Sequence, residues 1–315
     1  MKSEVLLFVG EALGRYGFPD GHPFSVDRQG AFWAEACKQG LDKRATVTAP
    51  RRASRRELMR FHEARHVDWV EERSKIGTGY LDNGDTPAFP GVLEAAAAVT
   101  GSALEGLHRI MAGYARRTFQ PIGGMHHARR GRAAGFCVFN DLGGVIDTLR
   151  AQYGVQRIAY VDIDVHHGDG VFYSYEADPD LIFADIHEDG RFLYPGTGSA
   201  RETGTGEAEG TKLNLPMPPG ASDKDFFAAW ECVLAHVERY KPEFFILQAG
   251  ADSLAGDPLG HLALSPAAHA HATRTLIDLA GETARGRLMA FGGGGYDLGN
   301  LARAWTGVLS EMVRR

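Results

Sequence analysis

The chain reads as an α/β domain built on a parallel sheet with helices on both faces. Three observations predict this. Short, continuously apolar runs recur along the chain, helical patterns fall between several of them, and each run ends in glycine or in polar residues such as His, Asp and Gln. A strand covered on both faces has no polar side, so it reads as an unbroken apolar run, and helical crossovers make its neighbours parallel. In such sheets the ligand site lies beyond the carboxyl ends of the strands, where those polar residues fall.

The elements follow in order. Residues 5–9 form the first apolar run, and residues 14–30, rich in glycine and proline, read as a loop. Helical patterns occupy 31–40 and 57–73, and the stretch 77–91 is turn-rich. Residues 93–117 carry alanine and leucine at helical spacing, which predicts one long helix. Runs at 119–122, 158–165, 181–186, 244–248 and 288–291 read as strands, with helices at 140–153, 223–240 and 265–284. No internal repeat or low-complexity linker interrupts the pattern, so residues 1–315 are expected to form a single domain.

Bulk properties exclude several functions. Hydrophobic residues make up 44% and charged residues 23% of the 315, an ordinary globular composition. The formal net charge of -6 argues against a general nucleic-acid binder, which needs a basic surface. The one basic run, residues 49–56, reads as a solvated loop leading into a helix. Cys37, Cys137 and Cys232 are widely spaced and odd in number, which predicts no disulfide framework and fits a reducing cytoplasm. The N-terminal apolar run is too short for a signal peptide, and no stretch reaches the length of a membrane-spanning helix. No nucleic-acid or membrane partner is therefore expected, and nothing in the pattern sets an oligomeric state.

The chemistry-bearing residues cluster at the strand ends. The segment G-G-M-H-H-A supplies His126 and His127, and D-I-D-V-H-H-G-D-G supplies Asp162, Asp164, His166, His167 and Asp169. Asp252 lies in L-Q-A-G-A-D-S-L, and Tyr296 follows the glycine run 292–295. A spacing of two on a strand places Asp164 and His166 on one face, and Asp252 from another strand can complete three ligands. Three protein ligands with an open position is the pattern of a catalytic metal. Two carboxylates and one imidazole suit zinc first, with ferrous iron as the alternative. The adjacent histidines each need a carboxylate to fix the tautomer, and Asp162 and Asp169 are free for that task. The glycine run lacks the spacing and the lysine of a phosphate loop, so it reads instead as a sharp turn that aims Tyr296. A phenol beside a metal can donate to a developing oxyanion.

Together, G-G-M-H-H-A-R-R-G-R-A-A-G-F-C-V-F-N-D, Y-V-D-I-D-V-H-H-G-D-G-V, L-Y-P-G-T-G, Q-A-G-A-D-S-L-A-G-D-P-L-G and G-G-G-G-Y closely resemble the histone deacetylase superfamily, and within it the bacterial acetoin-utilisation-type deacetylases. The resemblance runs from about His22 to the C-terminus. It implies an arginase-like α/β fold with an eight-stranded parallel sheet, and zinc on Asp164, His166 and Asp252. It implies His127 as general base, His126 as its electrostatic partner, and Asp162 and Asp169 as the groups that orient His126 and His127. Tyr296 would polarise the substrate carbonyl. Gly135 and Phe136, with Tyr194 facing them, would line a narrow tunnel, with Asp85 as a rim aspartate, Leu259 as a second rim position and Arg28 at the foot of the site. A structural potassium ion is implied on Asp162, Asp164, His166, Asp185 and Ile186, and a second such site near Tyr175, Asp178 and Leu181. Many relatives read P-G-H-H where this chain has Met125 before the histidines.

The expected activity is hydrolysis of the amide of an acylated lysine peptide or a small acylated amine. An acetylpolyamine amidohydrolase would use the same chemistry behind a different rim. An arginase-type ureohydrolase would need more bridging carboxylates and no tyrosine at 296. A non-catalytic acyl-lysine binding module would be expected to have lost a ligand, the base or the tyrosine, and all are present.

Overall fold

The computed structural model describes residues 4–314, so residues 1–3 of the N-terminal segment read above lie outside it. Eight strands form one sheet: β1 (Val5–Phe8), β2 (Thr46–Thr48), β3 (Arg117–Gln120), β4 (Ile158–Asp162), β5 (Leu181–Glu188), β6 (Lys212–Met217), β7 (Phe244–Gln248) and β8 (Leu288–Phe291). Their order is β2-β1-β3-β8-β7-β4-β5-β6, and every pairing is parallel. The helices are α1 (Glu11–Gly14), α2 (Arg28–Lys38), α3 (Arg55–Leu58), α4 (Ala64–Ile76), α5 (Val92–Met111), α6 (Asp141–Tyr153), α7 (Asp169–Ser174), α8 (Asp223–Tyr240), α9 (Pro266–Thr283) and α10 (Leu298–Met312).

Alternation along each strand builds two cores. Ile158, Tyr160, Phe244 and Ile246 pack with Leu104, Leu107, Leu142 and Ile146 of α5 and α6. Ala159, Val161, Phe245 and Leu247 face the other way, toward Trp230, Leu276 and Trp305 of α8, α9 and α10. Every residue of β4 and β7 is buried, which is why both read as plain apolar runs.

The structure departs from the expected elements where tertiary contacts override local pattern. The helix expected at 57–73 is two helices. α3 is opened by a capping box between Ser54 and Glu57, and the chain then turns where Glu63 N donates to Arg130 O at 2.8 Å before α4 begins. The helix expected at 93–117 ends at Met111, Gly113 turns in the left-handed region, and Arg117 already belongs to β3. The loop expected at 14–30 ends early, because Arg28 opens α2. β2 and β6 lie at the sheet edges, where β2 is short with two of its three residues exposed and β6 alternates, so neither presents a continuous run. α10, also unforeseen, starts at Asp297, whose side chain accepts from Asn300 N.

The central strands β3, β8, β7 and β4 are consecutive neighbours. Their carboxyl ends therefore deliver residues 121–127, 292–296, 249–252 and 163–169 to one rim of the sheet.

Candidate active site

The segment after β4 shapes itself. The strand ends at Asp162, so Asp164 and His166 do not share a strand face; they meet in a turn. Asp162 Oδ1 accepts from Asp164 N at 3.1 Å, and Asp164 Oδ1 from His166 N at 3.0 Å. These bonds wind the backbone until His166 Nδ1 lies 3.1 Å from Asp164 Oδ1 and 3.2 Å from Asp252 Oδ2. Asp252 is fixed from below, accepting from Val165 N at 3.1 Å. All three residues are buried, and their ligand atoms lie within 4.8 Å of one another.

Two glycines make room for this cluster. A Cβ at Gly250 would stand 2.0 Å from Asp164 Oδ2, and one at Gly294 would stand 1.9 Å from Asp252 Oδ2. Asp164 Oδ2 instead accepts from Gln248 Nε2 and Gly294 N, both at 2.8 Å. Burial opposes charge on His166, but its hydrogen bonds to Asp164 and Asp252 outweigh burial and push it up to about 10. Burial and the neighbouring Asp164 raise Asp252 to about 7. Two buried carboxylates thus demand positive charge at a point a divalent cation would fill, so the donor set fits a metal.

The histidine pair follows β3. Gly124 N and Met125 N donate to the two oxygens of Asp141 at 3.0 and 2.8 Å, which pins the loop. Both rings then face one pocket. His126 Nδ1 donates to Asp162 Oδ2 at 2.9 Å, and His127 Nδ1 to Asp169 Oδ1 at 2.8 Å. Their Nε2 atoms approach to 3.1 Å. With the His127 Nδ1–H committed to Asp169, its Nε2 is the nitrogen left to accept a proton, and the 3.1 Å contact lets the two Nε2 atoms share one proton between them. Burial and the nearby His126 lower His127 to about 4, so its ring is neutral at pH 7. Burial would raise Asp169, but hydrogen bonds from His127 and Arg129 bring it down to about 2.

Tyr296 is held by its backbone. Tyr296 N donates to Asp257 Oδ2 at 2.7 Å, while Leu259 N donates to Asp257 Oδ1 at 3.0 Å. Arg28 is fully buried below the glycine run, donating to Gly295 O at 2.8 Å and Gly293 O at 2.6 Å. Burial, then Asp252 and Asp164, push the Tyr296 phenol well above its ordinary range, so it keeps its proton.

The expected tunnel residues surround this pocket. Tyr194 stacks edge-on to His127 with ring centroids 5.1 Å apart, and Phe136 lies 5.9 Å from Tyr296. Gly135 has φ +53°, and a Cβ there would lie 2.5 Å from the His127 ring. Asp85, Asp82, Arg129, Arg132, Asp169 and Tyr194 line one groove beside it. Burial and a shared hydrogen bond with Asp82 raise Asp85 to about 7. Asp185 sits opposite Asp162 in the β4–β5 register. It accepts from Gly168 N at 2.8 Å and pairs with His187 Nδ1 at 2.7 Å, and Ile186 follows it in β5.

Sequence reasoning missed the residues that hold the site from behind: Gln248, Asp141, Asp257 and Arg129. Gln248 alone had a usable signal, as the polar end of a buried strand.

Comparison with known proteins accounts for this arrangement. Residues 22–312 match the histone deacetylase domain. The chain is 34% identical to the acetoin utilization protein AcuC of Bacillus subtilis (strain 168), over 99% of this chain and 82% of that one. It is 32% identical to the histone deacetylase RPD3 of Saccharomyces cerevisiae, over 99% of this chain and 73% of that one. The crystal structure of the HDA15 HD domain superposes with a TM-score of 0.90 at 29% identity, covering 99% of this chain and 88% of that domain. Its arginase/deacetylase fold is the one described above. The chain belongs to the histone deacetylase family.

Proposed function

We propose that the chain is a zinc-dependent deacylase that hydrolyses the amide of acetyl-lysine or a related acylated amine. One observation carries this reading: the converged Asp164, His166 and Asp252 donors lie beside a neutral histidine whose other nitrogen is tied to a carboxylate.

A divalent ion on those three ligands would act as a Lewis acid toward the amide carbonyl and the attacking water. Zinc suits the donor set first, and ferrous iron is the alternative. His127 Nε2 takes the proton from water, since its Nδ1–H is held by Asp169. The proton passes to the amine nitrogen as the C–N bond breaks, leaving the carboxylic acid and a free amine. His126, with Asp162 on its far nitrogen, lies against His127 Nε2 and steadies the pair once a proton arrives. Tyr296 keeps its phenolic proton and donates it as a hydrogen bond to the oxyanion.

Gly135, Phe136 and Tyr194 hold the apolar stem of the substrate, and Asp85 takes up its backbone at the rim. The apolar Leu259 suits the neutral backbone of a peptidyl lysine better than the second cation of a polyamine. A potassium ion on the Asp162–His166 segment and the Asp185–Ile186 strand would stiffen the turn that carries the ligands. All three cysteines are unpaired, which supports a reducing cytoplasm as the place of action.

The test is a panel of substrates under one set of conditions: acetyl-, propionyl-, butyryl- and crotonyl-lysine peptides beside acetylputrescine and acetylspermidine. The expected order places an acyl-lysine peptide first in kcat/KM. A preference for acetylspermidine over every peptide would replace this reading with an acetylpolyamine amidohydrolase.

A further inference from the structure

We propose that Lys212 is a built-in cation: its ammonium occupies the place that the resemblance assigns to a second monovalent metal ion at Tyr175, Asp178 and Leu181, and this chain takes no metal there.

Lys212 opens the edge strand β6 and is only 2% exposed. A buried lysine needs a partner for each of its three protons. Lys212 Nζ finds them in Asp178 O at 2.7 Å, Leu181 O at 2.7 Å and Thr211 Oγ1 at 2.8 Å. Two of the three are backbone carbonyls of the turn that enters β5. Converging carbonyl oxygens that replace a hydration shell are the kind of cage a monovalent ion selects. Here the cage closes on a charge tethered to the neighbouring strand.

A second observation agrees. Arg150 pairs with the Asp178 carboxylate and faces the Tyr175 ring, so the same turn already carries another positive group. The carbonyl of Tyr175, the third residue expected near this site, accepts from Asp178 N at 3.0 Å within the turn. A metal ion would have to displace Lys212 and then share the turn with Arg150. Burial lowers Lys212 to about 8, opposed by Asp178 and Asp180, so it keeps its proton at neutral pH.

The consequence is that the β5–β6 edge is held without potassium. Any potassium dependence of this chain then belongs to the Asp162–Ile186 site alone.

The test counts thallium(I), a potassium mimic, bound per chain. Lys212→Ser empties the cage and should bind one more thallium ion than wild type. Its melting temperature should also rise further in potassium chloride than in choline chloride, by more than wild type's does. Lys212→Met fills the space without charge and should be destabilised with no potassium rescue. Equal thallium counts in wild type and folded Lys212→Ser would overturn the proposal. If the variants do not fold, thallium-soaked wild-type crystals decide: no anomalous peak beside the Asp178 and Leu181 carbonyls supports it, and a peak there overturns it.

Discussion

His127 Nδ1 donates to Asp169 Oδ1 across 2.8 Å, and this one bond decides which nitrogen of the ring can act as a base. Asparagine at 169 could present its NH₂ to the ring and draw the proton to Nε2. Asp169→Asn is expected to lower kcat steeply, by up to roughly 10⁴-fold if the wrong tautomer dominates as it does in a serine-protease triad. Steady-state kinetics on one acyl-lysine peptide reads this. Stability should follow pH with a fixed sign. Asp169 is held down to about 2 from an ordinary 3.8, so its contribution is present above pH 3.8 and fades as pH falls through 2. The melting-temperature gap between wild type and Asp169→Asn should therefore be widest near neutrality and narrow below pH 4.

Tyr296→Phe removes the donor proposed to act only on the developing oxyanion. The backbone hold through Asp257 survives, so metal content and melting temperature should match wild type. Turnover should fall by roughly 10²–10³ with little change in KM. Near-normal turnover would mean that the phenol has another role.

Gly250→Ala tests the space around the proposed ligands. Its Cβ would press on Asp164 Oδ2 at 2.0 Å, so the variant should lose metal affinity. Gly281→Ala is the control. It lies in α9 with nothing near its Cβ, and it should keep metal and activity while gaining about 0.5–1 kcal/mol in stability. Metal analysis and thermal melts distinguish the two.

Leu259→Glu places a carboxylate at the proposed rim. It should raise kcat/KM for acetylspermidine relative to an acetyl-lysine peptide, and the gain should shrink as salt rises. A gain that ignores ionic strength would show that charge attraction is not its cause.

Much of the site was legible because its chemistry is concentrated in residue types that are costly to bury. Asp164, His166, Asp252 and the histidine pair stand out against the apolar strands that carry them. Their supports are less visible. Asp141 acts on amides 16 and 17 positions away and Asp257 on one 39 away, and a lone aspartate in a loop reads as a cap. The same holds for the fold. Strands buried on both faces announce themselves, whereas β6 interleaves Asn214 and Pro216 with its apolar residues and hides Lys212 inside an edge. The expected strand geometry of Asp164 and His166 reached the correct pairing by the wrong route, since the turn after Asp162 brings them together.

The central claim is that a divalent ion on Asp164, His166 and Asp252 is required for hydrolysis. The direct measurement is turnover and metal content on the same preparation, stripped with a chelator and then titrated with zinc, beside Asp252→Ala. Stripped wild type should be inactive and should recover near one equivalent of zinc. Asp252→Ala should neither bind zinc tightly nor recover, because two ligands hold the ion poorly. Full turnover by metal-free wild type, or by Asp252→Ala, would contradict the account.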